Sequence, residues 1–110
     1  MVFEKIAGEF LWQVRPVDFT KIGRWWHKGE EIDLVALNDA SKEVLFIECK
    51  WKTLSLAEPM RNIEKLKKKT SFVMWNKGER TEYYGLVAKQ VVEKDAPRKK
   101  GFMVFDLDDF

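Results

Sequence analysis

Residues 31–36 have the sequence Glu-Ile-Asp-Leu-Val-Ala, and residues 46–51 have the sequence Phe-Ile-Glu-Cys-Lys-Trp. Both stretches have the aliphatic and β-branched content of buried strands, yet they contain Asp33, Glu48 and Lys50. A carboxylate or ammonium group inside such a strand is strongly destabilising unless it is paired or binds a metal. We therefore expect these three charged residues to have a function.

Polar, turn-forming residues separate the two stretches. Residues 38–42, Asn-Asp-Ala-Ser-Lys, predict a hairpin with a short loop. If the loop is centred between residues 40 and 41, Asp33 lies opposite Glu48. Directly opposed side chains have Cβ atoms roughly 4.5 to 5.5 Å apart, and two like charges at that spacing destabilise the strand pair unless a cation lies between them.

Lys50 is two residues after Glu48 and shares its face, because side chains alternate along a strand. Two carboxylates beside an ammonium group form a site that suits Mg²⁺ or Mn²⁺. Such an ion is typically bound by one or two carboxylates and keeps several waters, so that positions remain for substrate phosphates. Such an ion activates water and polarises a phosphoryl oxygen, and Lys50 could orient that water or neutralise developing charge. The pattern predicts a phosphodiesterase site. The alternative is a structural ion-pair network of Asp33, Glu48 and Lys50.

An acidic residue on a first helix, then Asp33, then Glu48-x-Lys50 on the adjoining strand resembles the PD-(D/E)xK nuclease superfamily. Further segments resemble the nuclease-like domain at the C-terminus of a group of archaeal P-loop ATPases. In chain order these segments are Phe3-Glu4, residues 22–26, residues 31–33, residues 48–51 and residues 104–107. The Gly-x-x-x-x-Gly-Lys-Ser/Thr loop of the ATPase itself is absent from this sequence. Because the chain begins inside its first helix, we expect a separate domain or a fragment.

The resemblance implies a Mg²⁺- or Mn²⁺-dependent endodeoxyribonuclease. Asp33 and Glu48 would bind the metal together with the backbone carbonyl of Cys49, Lys50 would position the water or the transition state, and Glu4 would support the metal or the water. A homodimer is expected because cutting both strands of a duplex requires two sites. The ATPase domain is the other expected partner, and the alternative function is an inactive module that binds DNA or that ATPase.

Several acidic residues near the motif are open to interpretation. Glu9 competes with Glu4 for the position on the first helix, and either glutamate could simply be exposed. Glu31 is expected to point away from Asp33 and to lie on the surface. The side chain of Cys49 is expected in the core.

Basic residues are concentrated in the second half of the chain. Residues 61–100 contain twelve Lys or Arg against five Asp or Glu, although the formal net charge of the whole chain is +2. The candidates for a phosphate-binding surface are Arg61, Lys65, Lys67, Lys68, Lys69, Arg98, Lys99 and Lys100. The alternative is an ordinary solvated face. One of Trp25 and Trp26 could stack on a base, with packing as the alternative, and His27 is expected at the surface.

The hydrophobic periodicity predicts an α/β fold. A helix is predicted over residues 2–14, with Phe3, Ile6, Phe10 and Val14 on its apolar face. Strands are predicted at 22–26, 31–37, 43–51, 83–89 and 102–107, with a helix capped by Ser55 and extending to about residue 76, and with a charged loop before the last strand. The third strand is apolar on both faces before Glu48, so it is expected at the centre of a mixed sheet covered by helices. This is the restriction-endonuclease-like three-layer core that the resemblance implies.

Size and composition limit the other possibilities. We expect one domain over residues 1–110, because 45% hydrophobic content suits a single core. The apolar runs are too short for a membrane span and no signal peptide is recognisable, so a cytoplasmic protein is expected. A lone cysteine excludes an internal disulfide. The high Lys and Glu content, with only five Asn and Gln together, is typical of a thermophile.

Overall fold

Two helices cover opposite faces of a five-stranded sheet in the computed structural model, which describes residues 2–110. The elements are α1 (Val2–Val14), β1 (Lys21–His27), β2 (Glu30–Asn38), β3 (Glu43–Leu54), α2 (Glu58–Thr70), β4 (Thr81–Val91), α3 (Asp95–Lys99), β5 (Met103–Phe105) and a 3₁₀ helix (Leu107–Asp109). The strands lie in the order β1-β2-β3-β4-β5. The first three pair antiparallel, whereas β4 pairs parallel with both β3 and β5.

The central strand β3 is apolar on both faces, as predicted. Its residues 44–47 are completely buried. Leu45 and Ile47 pack in the cluster that α1 covers, while Val44 and Phe46 pack in the cluster that Leu66 of α2 completes. The prediction of a three-layer α/β fold with a mixed central sheet is therefore confirmed.

Strand β5 joins the sheet because a glycine on β4 allows close approach. A Cβ atom at Gly85 would lie 2.5 Å from Cδ1 of Ile47 and 2.7 Å from the backbone oxygen of Met103. Any larger residue would force β5 or the core side chain to move. A glycine inside a strand typically marks such a close backbone approach.

The span of α1 is confirmed, but its buried face differs from the predicted one. Phe3 and Phe10 are buried with Ala7 and Leu11, whereas Ile6 is 42% exposed. Val14, the last residue of the helix, is also exposed. The buried residues follow the spacing i, i+4, i+7, i+8, which leaves Ile6 at the border of the stripe. The placement of Ile6 and Val14 on the core face was wrong.

Helix α2 ends at Thr70, earlier than the predicted end near residue 76. Three-residue turns follow, in which Phe72 and Val73 donate their N–H groups to the carbonyls of Lys69 and Thr70. The guanidinium group of Arg80 donates hydrogen bonds to the carbonyls of Thr70, Val73 and Trp75. The partner of these carbonyls is Arg80 and not a later helical N–H group. Residues 71–75 are therefore not helical, although the apolar pattern continues to Val73.

Other element boundaries also differ from the predictions. The residue before α2 is Ala57 and makes no side-chain cap, although Ser55 does donate hydrogen bonds to the Glu58 carboxylate from its N–H and its hydroxyl. The charged segment before β5 contains the short helix α3. The last strand is shorter than expected because Asp106 caps the 3₁₀ helix that follows it.

Candidate active site

A bulge in β2 determines the direction of its charged side chains. Gly23 pairs with Val35 and Trp25 pairs with Ile32, so Arg24 alone faces both Asp33 and Leu34. The extra residue changes the alternation of β2. As a result Ile32 packs in the cluster under α2 and Leu34 in the cluster under α1. Such bulges redirect side chains and are frequent next to active sites.

Asp33 is the first β2 residue beyond the hairpin ladder. The pairs run from Asn38–Glu43 to Leu34–Ile47, which confirms the predicted register and ends one step before Asp33 and Glu48. There the Oδ2 atom of Asp33 accepts a hydrogen bond of 2.8 Å from the backbone N–H of Cys49. The side chain therefore replaces the missing backbone partner and is held against β3.

Three carboxylates from two elements meet on the α1 side of this point. Each of Glu4, Glu31 and Asp33 offers an oxygen atom, and these oxygens all lie within 4.8 Å of one another. The expectation that Glu31 points away from Asp33 was wrong, because residues two apart on a strand share a face. Glu4 belongs to this cluster, whereas Glu9 is exposed and outside it.

Glu48 lies on the α2 side, where it is 8% exposed. Its carboxylate is 3.5 Å from Nζ of Lys69 and 4.0 Å from Nζ of Lys50. Burial, followed by the hydrogen bond and negative charge of Asp33, raises the pKa of Glu48 to about 7, while Lys69 and Lys50 oppose this rise. The structure thus brings Asp33, Glu48 and Lys50 together, and it adds Lys69 as a direct neighbour of Glu48.

Arg24 is a second cation at this site that the sequence analysis did not identify. Its guanidinium group lies 3.7 Å from the Glu4 carboxylate and donates a short hydrogen bond to Glu31. Lys69 also donates a 2.9 Å hydrogen bond to the backbone carbonyl of Glu31. The sequence contained little sign of these two contacts. Arg24 lies on β1, a different strand from the acidic residues, and Lys69 is one of several lysines on α2.

Cys49 lies between Glu48 and Lys50 on β3. Its side chain packs against the cluster under α1, as expected for a core residue. Burial, followed by the charges of Asp33, Glu4 and Glu48, raises the pKa of this thiol above its ordinary value. The thiol therefore stays protonated and is a poor nucleophile. Its backbone carbonyl as a metal ligand stays a prediction.

The predicted phosphate-binding residues fall into two groups. Arg61, Lys65 and Lys68 are exposed on α2 and Lys99 and Lys100 near α3. Three others make contacts within the protein. Lys67 lies over the rings of Tyr84 and Phe102, Lys69 contacts Glu48, and the Arg98 guanidinium donates to the carbonyl of Val104 at 2.6 Å. The second group is therefore less available to an external phosphate.

The fold and the charged cluster define an α/β domain with its candidate site at the end of the β2–β3 ladder. The chain belongs to the DUF234 family, archaeal and bacterial proteins of unknown function, whose pattern matches residues 1–63. It is 43% identical over 114 residues to the uncharacterized protein MJECL04 of Methanocaldococcus jannaschii. That alignment covers 99% of this chain and 25% of the relative, so the chain spans about a quarter of the length of this curated relative.

Among solved structures, the chain is similar to a crystal structure of a repair endonuclease from Pyrococcus abyssi. The TM-score is 0.49 at 15% sequence identity, and the match covers 93% of this chain and 45% of that chain. Across residues 2–110 there is no helix with both the length and the apolar character needed to cross a membrane.

Proposed function

We propose that this domain is a metal-dependent nuclease that hydrolyses phosphodiester bonds in DNA. The observation that carries the proposal is the convergence of charged groups from α1, β2 and β3 where the hairpin ladder ends. Asp33 and Glu48 are adjacent there, Lys50 is beside Glu48, and Glu4 approaches from the helix. Carboxylates that can hold a divalent ion, with a lysine beside them, suit phosphodiester hydrolysis.

The donor set fits a hard divalent cation. Three carboxylate oxygens lie within 4.8 Å of one another, and Glu48 adds a fourth carboxylate next to Asp33. Mg²⁺ and Mn²⁺ prefer oxygen ligands of this kind. Asp33 and Glu48 would hold the ion, with Glu4 and the Cys49 carbonyl in support. When bound, such an ion polarises a phosphoryl oxygen and lowers the pKa of a water molecule.

The side chains of this chain contribute their own chemistry. Lys50 is at the edge of a groove of about 340 Å³ that is also lined by Lys52, Arg61 and Lys65. A phosphate that enters this groove lies among the ammonium groups of three lysines and the guanidinium group of Arg61. In this proposal Lys50 orients the attacking water or neutralises the charge that develops on the phosphorus.

A second candidate is a module that binds DNA or a partner ATPase without cleavage. The observation that favours it is that protein cations already pair with the cluster: Arg24 contacts Glu4 and Glu31, and Lys69 contacts Glu48. In this case the carboxylates form an ion-pair network that needs no metal. The two candidates differ in whether a divalent ion binds and whether DNA is cut.

Cleavage of plasmid, single-stranded and four-way-junction DNA tests the proposal. We expect cleavage with Mn²⁺ or Mg²⁺, none with chelator, and none with the Lys50→Ala variant. Lys42→Ala, at an exposed lysine of the hairpin loop, is the matched control and should cut like the wild type. A wild-type protein that binds these DNAs and never cuts any of them would contradict the proposal and favour the second candidate.

A further inference from the structure

One face of α2 carries basic residues that continue into an aromatic side chain. Arg61, Lys65 and Lys68 are spaced by four and three residues, so they lie on one side of the helix, and Phe72 follows four residues later. Two adjoining grooves run along this side and share Lys65. The first, of about 340 Å³, includes Lys50, and the second, of about 260 Å³, includes Lys68 and Phe72.

The basic groups on this side are available to a ligand. Among the described residues, Lys65 and Lys68 form no ion pair with a carboxylate. The carboxylate of Glu58 in the first groove is already paired with Lys52 at 3.0 Å. Glu30 is the acidic residue of the second groove. The surface formed by the two grooves, called the path below, therefore has a net positive charge and suits a phosphate backbone.

Phe72 provides a stacking surface at the far end of the path. Its side chain is 53% exposed even though it lines a groove with three lysines. The ring of His27 lies 6.5 Å from that of Phe72 at an interplanar angle of 29°, and the rings of His27 and Trp25 are 6.1 Å apart. Phe72 therefore has an aromatic neighbour, while its exposed fraction leaves the ring accessible from solvent.

We propose that this side of α2 binds a single DNA strand, with phosphates on Lys65 and Lys68 and an unpaired base on Phe72. The DNA strand would run along the two adjoining grooves to Lys50. This inference rests on the proposed function and adds a substrate class, namely DNA with a single-stranded segment next to the scissile bond. An aromatic face can stack only on a base whose own face is free, and bases inside a duplex are stacked on each other.

Fluorescence anisotropy in the presence of chelator tests the path without any cleavage. The probe is an oligothymidine of about 12 nucleotides, within the usual range of single-strand site sizes, and the comparison is a duplex of the same length. We expect tighter binding of the single strand and a decrease of about tenfold in its affinity for Phe72→Ala. Met74→Ala is the matched control, because Met74 is a 72% exposed apolar residue two positions after Phe72 and lines neither groove.

The lysines are tested through the salt dependence of binding. In Lys65→Gln/Lys68→Gln, the slope of log affinity against log salt should flatten by about 0.7 for each phosphate of the single strand that the variant no longer neutralises. Lys5→Gln/Lys42→Gln, two exposed lysines outside both grooves, should keep the wild-type slope. Thermal melting and circular dichroism would verify that each variant is folded, which is expected because all these side chains are exposed.

The outcomes separate this inference from the proposed nuclease function. Equal affinity for duplex and single strand, together with no effect of Phe72→Ala, would overturn the path even if Mn²⁺-dependent cleavage is observed. Conversely, Phe72-dependent binding of the single strand by a protein that never cuts would support the path and refute catalysis.

Discussion

In the metal-free protein, we expect Glu48→Gln to stabilise the fold at neutral and alkaline pH. Glu48 is buried next to Asp33, and this environment raises its pKa from 4.5 to about 7. Between these two pH values the folded protein keeps a proton that the unfolded chain releases. Stability therefore falls as pH rises through this window and stays low above it.

The magnitude follows from the two pKa values of Glu48. A difference of one pKa unit corresponds to roughly 1.4 kcal/mol, so the rise from 4.5 to about 7 corresponds to a loss of about 3 kcal/mol. Gln has nearly the same shape and does not ionise, and its amide can donate a hydrogen bond to Asp33. The variant should therefore be about 3 kcal/mol more stable than the wild type at pH 8 and nearly equal to it below about pH 4.5.

Urea denaturation in chelator, repeated between about pH 4.5 and pH 8, measures this difference. Glu64→Gln is the matched control, because this α2 glutamate has a side chain that is 61% exposed, and it should follow the wild type at every pH. Parallel loss of stability in wild type and Glu48→Gln, or a less stable Glu48→Gln at pH 8, would refute the reasoning about Glu48.

Four other predictions concern the metal site, catalysis, the end of α2 and assembly. A divalent ion should raise the melting temperature of the wild type and leave Asp33→Asn unchanged; an equal shift in the variant would remove Asp33 from the metal site. Lys50→Ala should lose cleavage but keep DNA affinity within a few-fold, as measured by anisotropy, because one charge is a small part of the electrostatic contribution. Arg80→Ala should lower the free energy of unfolding by about 3 to 5 kcal/mol in urea titrations, because the Arg80 side chain is 2% exposed and pairs with Glu82; a loss below about 1 kcal/mol would contradict its proposed role at the end of α2. Sedimentation equilibrium should detect a homodimer, and a monomer at all concentrations would refute this expectation.

The hairpin and the central strand were predictable because their signals are local. The polar residues 38–42 define the loop, and the side chain of Asn38 accepts hydrogen bonds from the N–H groups of Ala40 and Ser41. A loop centred at this point leaves one register in which the apolar residues of both strands reach the core. The burial of β3 on both faces follows from residues 44–47 alone.

The arrangement of the acidic residues was not predictable to the same extent. The bulge at Asp33 and Leu34 depends on pairing with Arg24, a residue of another strand, and no local pattern marks the extra residue. Likewise, Lys69 reaches Glu48 from a separate helix. Such contacts depend on tertiary packing, which a single sequence does not display.

The end of α2 at Thr70 was also not predictable from the local sequence. The apolar pattern continues beyond Thr70, and nothing near that residue requires the helix to stop. A cause lies ten residues later, where the guanidinium group of Arg80 donates hydrogen bonds to the carbonyls of Thr70, Val73 and Trp75. A partner from a later segment therefore overrides local helix propensity.

The central position of β3 has a consequence for how the candidate site forms during folding. Its pairing with β2 crosses only a short turn, and hairpins of this kind form in about 1 to 10 μs. Its parallel pairing with β4 requires closure of a longer segment that contains α2, which is a slower step. A chain that has formed only the hairpin would carry Asp33 and Glu48 close together but without Lys69. The contact between Lys69 and Glu48 therefore forms only when α2 packs on the sheet, so recovery of the site during refolding should coincide with recovery of the whole fold.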